Sequence, residues 1–320
     1  MTIPETDVHV PTVPRAVLLG NNKGGVGKSS IAAAVGIMTA AKGSRVLLVD
    51  ANPQGNLTTD LGVSHDDGRA LAMTLLYGEP LAVVTDVRPN VDLVAGGEFL
   101  STVASSVHSI PGGHSQMCAH IGNALLNAYV SGSYDLILID SAPGDATILQ
   151  GLLRIASYLI IPTKTDGDRD TGSIGGAAKI AKRYIQARRD GSQVQFLGMV
   201  LFDVNPRATK RNAAKFALIE ELLGTSGQPF RSTIRHDAAL AEDVRQHRAT
   251  ASELVKRASD MKAERLSALR ARKKKGADTD VLDPIPQSLW AKDPTRVSGD
   301  YNALMNEILI RITKAETGGN

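Results

Sequence analysis

The sequence predicts an α/β protein built on a doubly wound, mostly parallel sheet with helices on both faces. Apolar segments of strand length alternate with helical patterns along most of the chain, which is typical of such sheets. A glycine-rich stretch at residues 22–30 lies directly between the first apolar segment and the first helical pattern. Ligands bind beyond the carboxyl ends of parallel strands, so we expect the functional site at that edge of the sheet.

The individual elements follow from these patterns. Short apolar runs predict five strands and two further candidates, at 16–20, 45–50, 91–95, 134–140, 158–162, 194–202 and 230–234. Helical patterns separate most of them, at 28–41, 146–156, 173–189 and 207–223. We expect a flexible tail at residues 1–14 and a single domain over 15–320. Within that domain we expect a basic insertion at about 252–298 and a final helix at about 299–314.

Composition and cysteine content restrict the class of protein. The chain of 320 residues is 42% hydrophobic and 22% charged, which is ordinary for a soluble globular protein. Its single cysteine, Cys118, cannot form an internal disulfide, which favours a reducing compartment. No apolar run approaches the roughly 20 residues that span a bilayer, and the first 14 residues do not resemble a signal peptide. We therefore expect a cytoplasmic protein with no membrane partner.

The stretch at 22–30 has the pattern of a phosphate-binding P-loop. Its glycines allow successive backbone N–H groups to point at a phosphate, and the following helix N-terminus adds a favourable dipole. We expect Lys28 to reach the β- and γ-phosphates, Ser29 to coordinate Mg²⁺ and Ser30 to lie near the α-phosphate. A turn that only joins a strand to a helix is the alternative, but strand, loop, Lys-Ser pair and helix follow in the required order. The predicted nucleotide-binding residues of the loop are Lys23, Gly24, Gly25, Val26, Gly27, Lys28, Ser29 and Ser30.

Two apolar strands end in aspartates, Asp50 and Asp140. Together with Ser29, Asp140 is a predicted metal site, because an aspartate at that edge can hold a Mg²⁺-bound water. A plain strand-end turn is the alternative interpretation of Asp140. The loop after Asp50, at 52–56, is polar and turn-forming, which suits a segment that responds to a γ-phosphate.

Three sequence blocks together resemble the ParA-type chromosome and plasmid partition ATPases. These form part of the deviant P-loop branch of P-loop NTPases, with MinD and the nitrogenase iron protein. The blocks are residues 23–29, 46–56 and 135–143. The resemblance implies an ATPase that uses ATP and Mg²⁺ and forms a homodimer when ATP is bound. It also implies that Lys23 is the signature lysine, which reaches across the interface to the partner's nucleotide.

One position departs from the family pattern. The family usually has aspartate where this chain has Asn52, at the position credited with orienting the attacking water. An amide can accept a hydrogen bond from water but is a negligible base, and positioning matters more than base strength in phosphoryl transfer. We expect slow or partner-dependent hydrolysis, with Asp50 able to share the role of Asn52. The predicted catalytic residues are Lys23, Lys28, Asp50 and Asn52.

The resemblance also implies an adenine pocket and a DNA-binding surface. Phe202 and Asp203 lie in the region that matches the adenine pocket, although core packing is the alternative for Phe202. Nonspecific duplex DNA and a centromere-binding ParB-type protein are the implied partners, and the implied location is the nucleoid. Nine lysines and arginines lie within 252–275, where a solvated helix face is the alternative. The candidate DNA-binding residues are Arg231, Arg235, Arg245, His247, Arg248, Lys273, Lys274 and Lys275.

The same residues bear on three other functions. A MinD-like membrane partner requires a basic amphipathic C-terminal helix, and the last helical segment has little cationic face. Electron transfer of the nitrogenase iron protein type is excluded, because one cysteine cannot supply the usual cluster thiolates. A cargo-positioning ATPase, or a regulatory switch that barely hydrolyses ATP, stays open because of Asn52. The tail at 1–14 either contacts an activator or is a terminus without a role.

Overall fold

The computed structural model describes residues 8–64, 66–144, 146–167, 170–224, 228–275, 289–291 and 293–318. Its centre is a seven-stranded sheet in the order β3-β4-β2-β5-β1-β6-β7. All neighbouring strands pair in parallel except β3, which lies antiparallel to β4 at one edge. The strands are β1 (Val13–Leu19), β2 (Val46–Ala51), β3 (Val84–Arg88), β4 (Val91–Val94), β5 (Leu136–Ser141), β6 (Ala156–Thr163) and β7 (Gln195–Leu201).

Helices cover both faces of the sheet, which confirms the predicted doubly wound class. The described helices are α1 (Lys28–Ala40), α2 (Asn56–Asp60), α3 (Arg69–Tyr77), α4 (Val103–His108), α5 (Gly113–Gly132), α6 (Ala146–Ile155), α7 (Gly172–Arg189), α8 (Thr209–Leu223), α9 (Ala238–His247), α10 (Ala251–Lys275) and α11 (Thr295–Glu316). None of the helices in the described ranges is long and apolar enough to cross a membrane.

The sheet separates two hydrophobic cores, and strand residues alternate between them. Along β1, Ala16 and Leu18 face the core formed with α3 to α8, whereas Val17 and Leu19 face the core formed with α1, α9, α10 and α11. All residues of β2 and β5 are buried, because central parallel strands are covered on both sides. Their aspartates are therefore held rigidly at the carboxyl edge.

The candidate strand at 230–234 is wrong. Phe230 and Ile234 donate backbone hydrogen bonds to Met199 and Leu201 of β7, but the segment between them does not continue a ladder. The backbone N–H groups of Arg231 and Ser232 instead donate to the carboxylate of Glu307 on α11. The carboxylate of a residue far away in the sequence therefore accepts hydrogen bonds from backbone N–H groups in this segment, and the segment does not form a strand.

Several expected boundaries also shift. β1 begins at Val13, which pairs with Ala156, so the tail expected at 1–14 is at least two residues too long. Residues 1–7 and 276–288 lie outside the described residues. The basic insertion begins as a 25-residue helix, α10. The final helix, expected at about 299–314, extends over Thr295–Glu316.

Candidate nucleotide site

The predicted P-loop joins β1 to α1 at the centre of the carboxyl edge. Gly25 and Gly27 have φ values of 70° and 88°, in the left-handed region that favours glycine. Gly27 directly precedes α1 and has no side chain that could cap it, so the first N–H groups of α1 face the loop. This is the backbone arrangement that binds a phosphate.

Asn21, which the sequence analysis did not single out, fixes the loop to the sheet. Its fully buried side-chain amide donates to the carbonyl oxygens of Pro162, at 2.7 Å, and Ser173, at 3.2 Å. Its side-chain oxygen accepts from the backbone N–H of Lys23 at 2.8 Å. The side chain of Lys23 itself is exposed, as an interaction with a second subunit would require.

Lys28 is buried at the bottom of the loop, with 5% of its surface exposed. Its Nζ donates long hydrogen bonds to the carbonyl oxygens of Asn21, at 3.4 Å, and Lys23, at 3.3 Å. Burial lowers the pKa of the Lys28 ammonium, an effect that the negative charge of Asp140 partly opposes. A buried cation whose hydrogen bonds to the described residues are both long is suited to bind an anion such as phosphate.

Asp50 and Asp140 are register partners on β2 and β5, and both are fully buried. Burial, followed by the charge of Asp50, raises the pKa of Asp140 to about 7. Ser29 Oγ donates to Asp140 Oδ2, whereas Asp140 Oδ1 has no hydrogen-bond partner among the described residues. A carboxylate that is crowded by a second negative charge and has one oxygen unsatisfied fits a divalent cation. The predicted pair Ser29 and Asp140 thus lies together.

Asp50 holds the loop that follows it. Asp50 Oδ2 accepts from the backbone N–H of Thr58 at 2.9 Å and from its hydroxyl at 2.7 Å, and Asp50 Oδ1 accepts from Asn52 N at 3.3 Å. The Thr58 hydroxyl in turn accepts from the N–H of Gly96. These contacts fix the segment 52–58 to the end of β2. Thr58 was missed in the sequence, because only the folded chain brings it to Asp50.

A cavity of about 600 Å³ opens from the P-loop toward the C-terminal helices. Phe202 forms part of its wall and lies directly over Gly27. Asp203 Oδ2 pairs with Lys164 Nζ at 2.8 Å, and Asp203 Oδ1 lies 2.5 Å from His236 Nδ1. Both predicted adenine-pocket residues therefore border the cavity. Asn52 and Gln54 line it on another side.

The final helix supplies a wall of the cavity that its sequence pattern did not predict. Val297 and Tyr301 of α11 line the cavity. Tyr301 is buried, its hydroxyl is hydrogen-bonded to the side chain of Ser30, and burial raises its pKa above the usual range. A hydrophobic stripe gives no signal for such a contact, which joins residues that are far apart in the sequence.

Gly27 provides a direct test of the cavity wall. A Cβ at Gly27 would lie 2.3 Å from the Phe202 ring, and its φ of 88° is already unfavourable for a side chain. We expect Gly27→Ala to lower the free energy of unfolding by ~1–2 kcal/mol through backbone strain and by a further ~1–3 kcal/mol through overlap. Gly43→Ala is the matched control, because Gly43 has a φ of 98° and nothing within 4 Å. Equal losses in urea unfolding would contradict the placement of Phe202.

The candidate DNA-binding residues do not form one uniform surface. Arg235 forms two hydrogen bonds with Asp300, at 2.6 and 2.7 Å, and lines the cavity. Arg245 is exposed and pairs with Glu242 at 2.6 Å. Arg231 and Arg248 are also exposed, and His247 is half-buried. Lys273, Lys274 and Lys275 form the last residues of α10, but their side chains are outside the described part of the structure.

Residues 14–188, more than half of the chain, match a family model described as an AAA domain, AAA_31. The chain belongs to this family. Among curated relatives of this AAA_31 protein, the chromosome partitioning protein ParA of Caulobacter vibrioides is 31% identical over 155 residues, 48% of this chain and 57% of that protein. The chromosome-partitioning ATPase Soj of Thermus thermophilus is 35% identical over 152 residues, 48% and 55% of the two chains. The AAA_31 protein thus spans little more than half the length of these relatives.

Solved structures agree with the fold of the AAA_31 protein. Apo McdA of Cyanothece superimposes with a TM-score of 0.64 at 23% identity, covering 75% of this chain and 92% of that one. The MinC:MinD cell division protein complex of Aquifex aeolicus includes a chain with a TM-score of 0.53 at 20% identity, covering 72% and 85%. The predicted ParA-type resemblance and the deviant P-loop fold are confirmed by these comparisons together with the family match.

Proposed function

We propose that this protein is an ATP-hydrolysing partition ATPase. It binds ATP with Mg²⁺, dimerises when ATP is bound, and binds nonspecific DNA to segregate a plasmid or chromosome with a centromere-binding ParB-type partner. The observation that carries the proposal is the P-loop, in which a buried Lys28 faces the site while Lys23 remains exposed beside it. The corresponding location is the cytoplasm, in association with the nucleoid.

The residues of the site divide into those that bind and those that position. The P-loop N–H groups and Lys28 bind the phosphates, and Ser29 with Asp140 would hold Mg²⁺. Bound Mg²⁺ supplies positive charge that offsets the charge on the transferred phosphoryl group. Lys23 adds a second cation from the partner subunit at the β/γ bridge, as an arginine finger does. Phe202 and Asp203 contribute to the wall around the base.

Asn52 sets the rate of hydrolysis in this proposal. Its side-chain oxygen accepts from Gln54 N at 3.0 Å, so the amide is already engaged in shaping the loop. A carboxylate has a second oxygen and negative charge with which to orient water. We expect Asn52→Asp to raise the single-turnover rate of ATP hydrolysis about tenfold, with ATP affinity within about threefold.

The neighbouring amide provides the control for that substitution. Asn56 is the first residue of α2, directly after that loop, and its exposed side chain donates to the side-chain oxygen of Gln54. Asn56→Asp adds the same charge at the cavity rim without replacing the residue that shapes the loop. Equal rates for Asn52→Asp and the unmodified protein would argue against a water-orienting role for position 52.

Retention on DNA at different salt concentrations tests the proposed DNA binding. We expect retention on nonspecific duplex DNA with ATP–Mg²⁺, little retention with ADP–Mg²⁺, and a steep loss as salt rises, because phosphate contacts release counterions. Arg231, Arg245, Arg248 and the basic residues of α10, including Lys273–Lys275, are the proposed contacts. Retention that does not distinguish the two nucleotides would contradict a nucleotide-switched DNA carrier.

A cargo-positioning ATPase or a weakly hydrolysing regulatory switch is the second candidate. Asn52 favours it, because this residue is the one departure from the family pattern within the site. Both candidates require ATP binding, so isothermal titration with ATP is measured first. A protein that binds ATP but does not bind DNA in the ATP state would support this second candidate over partition.

A further inference from the structure

Arg88, the last residue of β3, connects three separate elements. Its Nε pairs with Glu253 Oε1 on α10 at 2.5 Å. Its Nη1 donates to the carbonyl oxygen of Leu61, directly after α2, at 3.3 Å, and its Nη2 donates to the carbonyl oxygen of Arg248, after α9, at 2.9 Å. Both side chains of the ion pair are about four-fifths buried, with exposed fractions of 21% and 22%. We refer to Arg88, Glu253 and these two carbonyl groups as the Arg88 junction.

Glu253 extends the junction into the start of α10. Its second carboxylate oxygen accepts from the backbone N–H of Thr250 at 2.7 Å and from its hydroxyl at 2.9 Å. These bonds cap the helix, and they satisfy donors that the helix itself cannot. The orientation of α10 at its base is thus fixed to Arg88 on the sheet.

The same elements also line the candidate nucleotide cavity. The segment from Asn52 to Leu61 lines one side, and residues 249–251 at the base of α10 line another. The residues that flank these two segments come close near the junction, because a Cβ added at Gly62, which follows Leu61, would lie 3.0 Å from the side chain of Arg248. A ligand that moves the 52–61 segment therefore acts on contacts that hold the base of α10.

Most of α10 projects from the domain beyond this base. Ala251 and Leu254 are buried, whereas every residue described from 256 to 270 is exposed or half-buried. The helix has nine basic residues against three acidic ones, Glu253, Asp260 and Glu264. At 1.5 Å per residue, a helix of this length extends about 35 Å, so a small rotation at the base displaces the distal charges by several ångströms.

We propose that the Arg88 junction couples nucleotide binding to the orientation of α10, with Arg88 as a positioning residue outside the site. The coupling rests on the proposed function, because it supposes that ATP and ADP favour different positions of the 52–61 segment. Coupling requires that the ATP-bound and the ADP-bound protein differ in how the 52–61 segment contacts the junction. The junction supplies that difference, since Arg88 contacts the nucleotide-lining segment and the basic helix at once.

Energy transfer within the protein tests the coupling without DNA. Trp290 is the single tryptophan and is 70% exposed, and Ser267 lies on the exposed part of α10. Cys118 is buried and its thiol pKa is raised to about 11, so a dye reacts with the cysteine of Ser267→Cys alone. We expect transfer from Trp290 to the dye to differ between ATP–Mg²⁺ and ADP–Mg²⁺. Adding Arg88→Ala should reduce that difference by at least half.

The DNA affinity ratio provides a second readout. We expect Arg88→Ala to leave ATP affinity within about twofold but to lower the ratio of DNA affinities in the ATP and ADP states about fivefold. Glu253→Gln, which retains one acceptor oxygen but loses the charge and the second acceptor, should have an intermediate effect. Glu316→Ala is the matched control, because it also breaks an ion pair of an arginine. That arginine, Arg15, lies near the start of β1, at the end of the strand away from the P-loop.

The two readouts separate the coupling from the proposed function. An ATP-dependent transfer change that survives Arg88→Ala, or that is absent from the unmodified protein, overturns the coupling whatever the DNA result. A transfer change that Arg88→Ala abolishes, in a protein that does not bind DNA, supports the coupling and overturns the partition function. Urea unfolding of each variant checks that an altered response does not reflect loss of the fold. Equal losses of coupling in Arg88→Ala and Glu316→Ala would show a nonspecific effect and contradict the junction.

Discussion

Replacing Lys28 with alanine is expected to weaken ATP binding by about 100-fold or more, while leaving the nucleotide-free protein at least as stable as before. The loss follows from the hydrogen bonds between an ammonium and the phosphates, which together contribute on the order of 3 kcal/mol. The unchanged stability follows from burial. Among the residues that the structure describes, the Lys28 ammonium donates only long hydrogen bonds, to the carbonyl oxygens of Asn21 and Lys23, and burial lowers its pKa.

A loss of ATP affinity without a loss of stability in the nucleotide-free protein makes the Lys28 test specific. Thermal unfolding is measured with and without ATP–Mg²⁺, and isothermal titration gives the affinity. Lys23→Ala is the control from the same loop. Because the Lys23 side chain is exposed, we expect this substitution to leave nucleotide binding to the monomer largely intact and to remove only the contact that we propose with the partner's nucleotide. A Lys28→Ala protein that still gains thermal stability from ATP–Mg²⁺ would contradict the proposed phosphate site.

The central strands and the P-loop were predictable because their signals are local. A continuous apolar run marks a strand that is buried on both faces, as β2 and β5 are. The glycines of the loop reflect backbone angles that a side chain disfavours, and the aspartates directly end such runs. The fold class and the position of the aspartates at the carboxyl edge therefore follow from short stretches of sequence.

Other features depend on partners that lie far away in the chain. The residues of β3 are exposed or half-buried, so no apolar run predicts this strand. The backbone N–H of Asp86 in β3 donates to the carboxylate of Asp92 in β4. Asn21 contacts a carbonyl oxygen 141 residues away. Arg235, predicted to bind DNA, is paired with Asp300, 65 residues further on. A sequence shows that an arginine is present, but not whether a distant carboxylate already neutralises it.

Asp140→Asn is expected to have opposite effects on the nucleotide-free and the nucleotide-bound protein. Burial and the charge of Asp50 raise the Asp140 pKa from 3.8 to about 7, so the folded state binds a proton more tightly than the unfolded state. The contribution of Asp140 to stability is therefore fully present below about pH 4, declines as pH rises, and is lost above about pH 7. At pH 8 the ionised Asp140 costs on the order of 2–4 kcal/mol, which asparagine avoids.

Asp92 provides a control of opposite sign on β4, which β2 separates from β5 in the sheet. Burial alone would raise its pKa, but hydrogen bonds from Tyr134, the backbone of Asp86 and Arg45 lower it overall. Its contribution to stability is present at neutral pH and is lost as pH falls through the lowered pKa. We therefore expect Asp92→Asn to destabilise the protein at pH 8, where Asp140→Asn stabilises it.

The Asp140 experiment compares urea unfolding from pH 4 to pH 8 with and without ATP–Mg²⁺. Without ligand, Asp140→Asn should exceed the unmodified protein in stability at pH 8, and the two should converge near pH 4. With ATP–Mg²⁺ the order should reverse, because the unsatisfied Asp140 Oδ1 belongs to a carboxylate, whose negative charge binds a divalent cation more strongly than the neutral amide of asparagine does. If Asp140→Asn were less stable at pH 8 without ligand, Asp140 would stabilise the apo fold. The electrostatic repulsion between Asp50 and Asp140 would then no longer support a metal site.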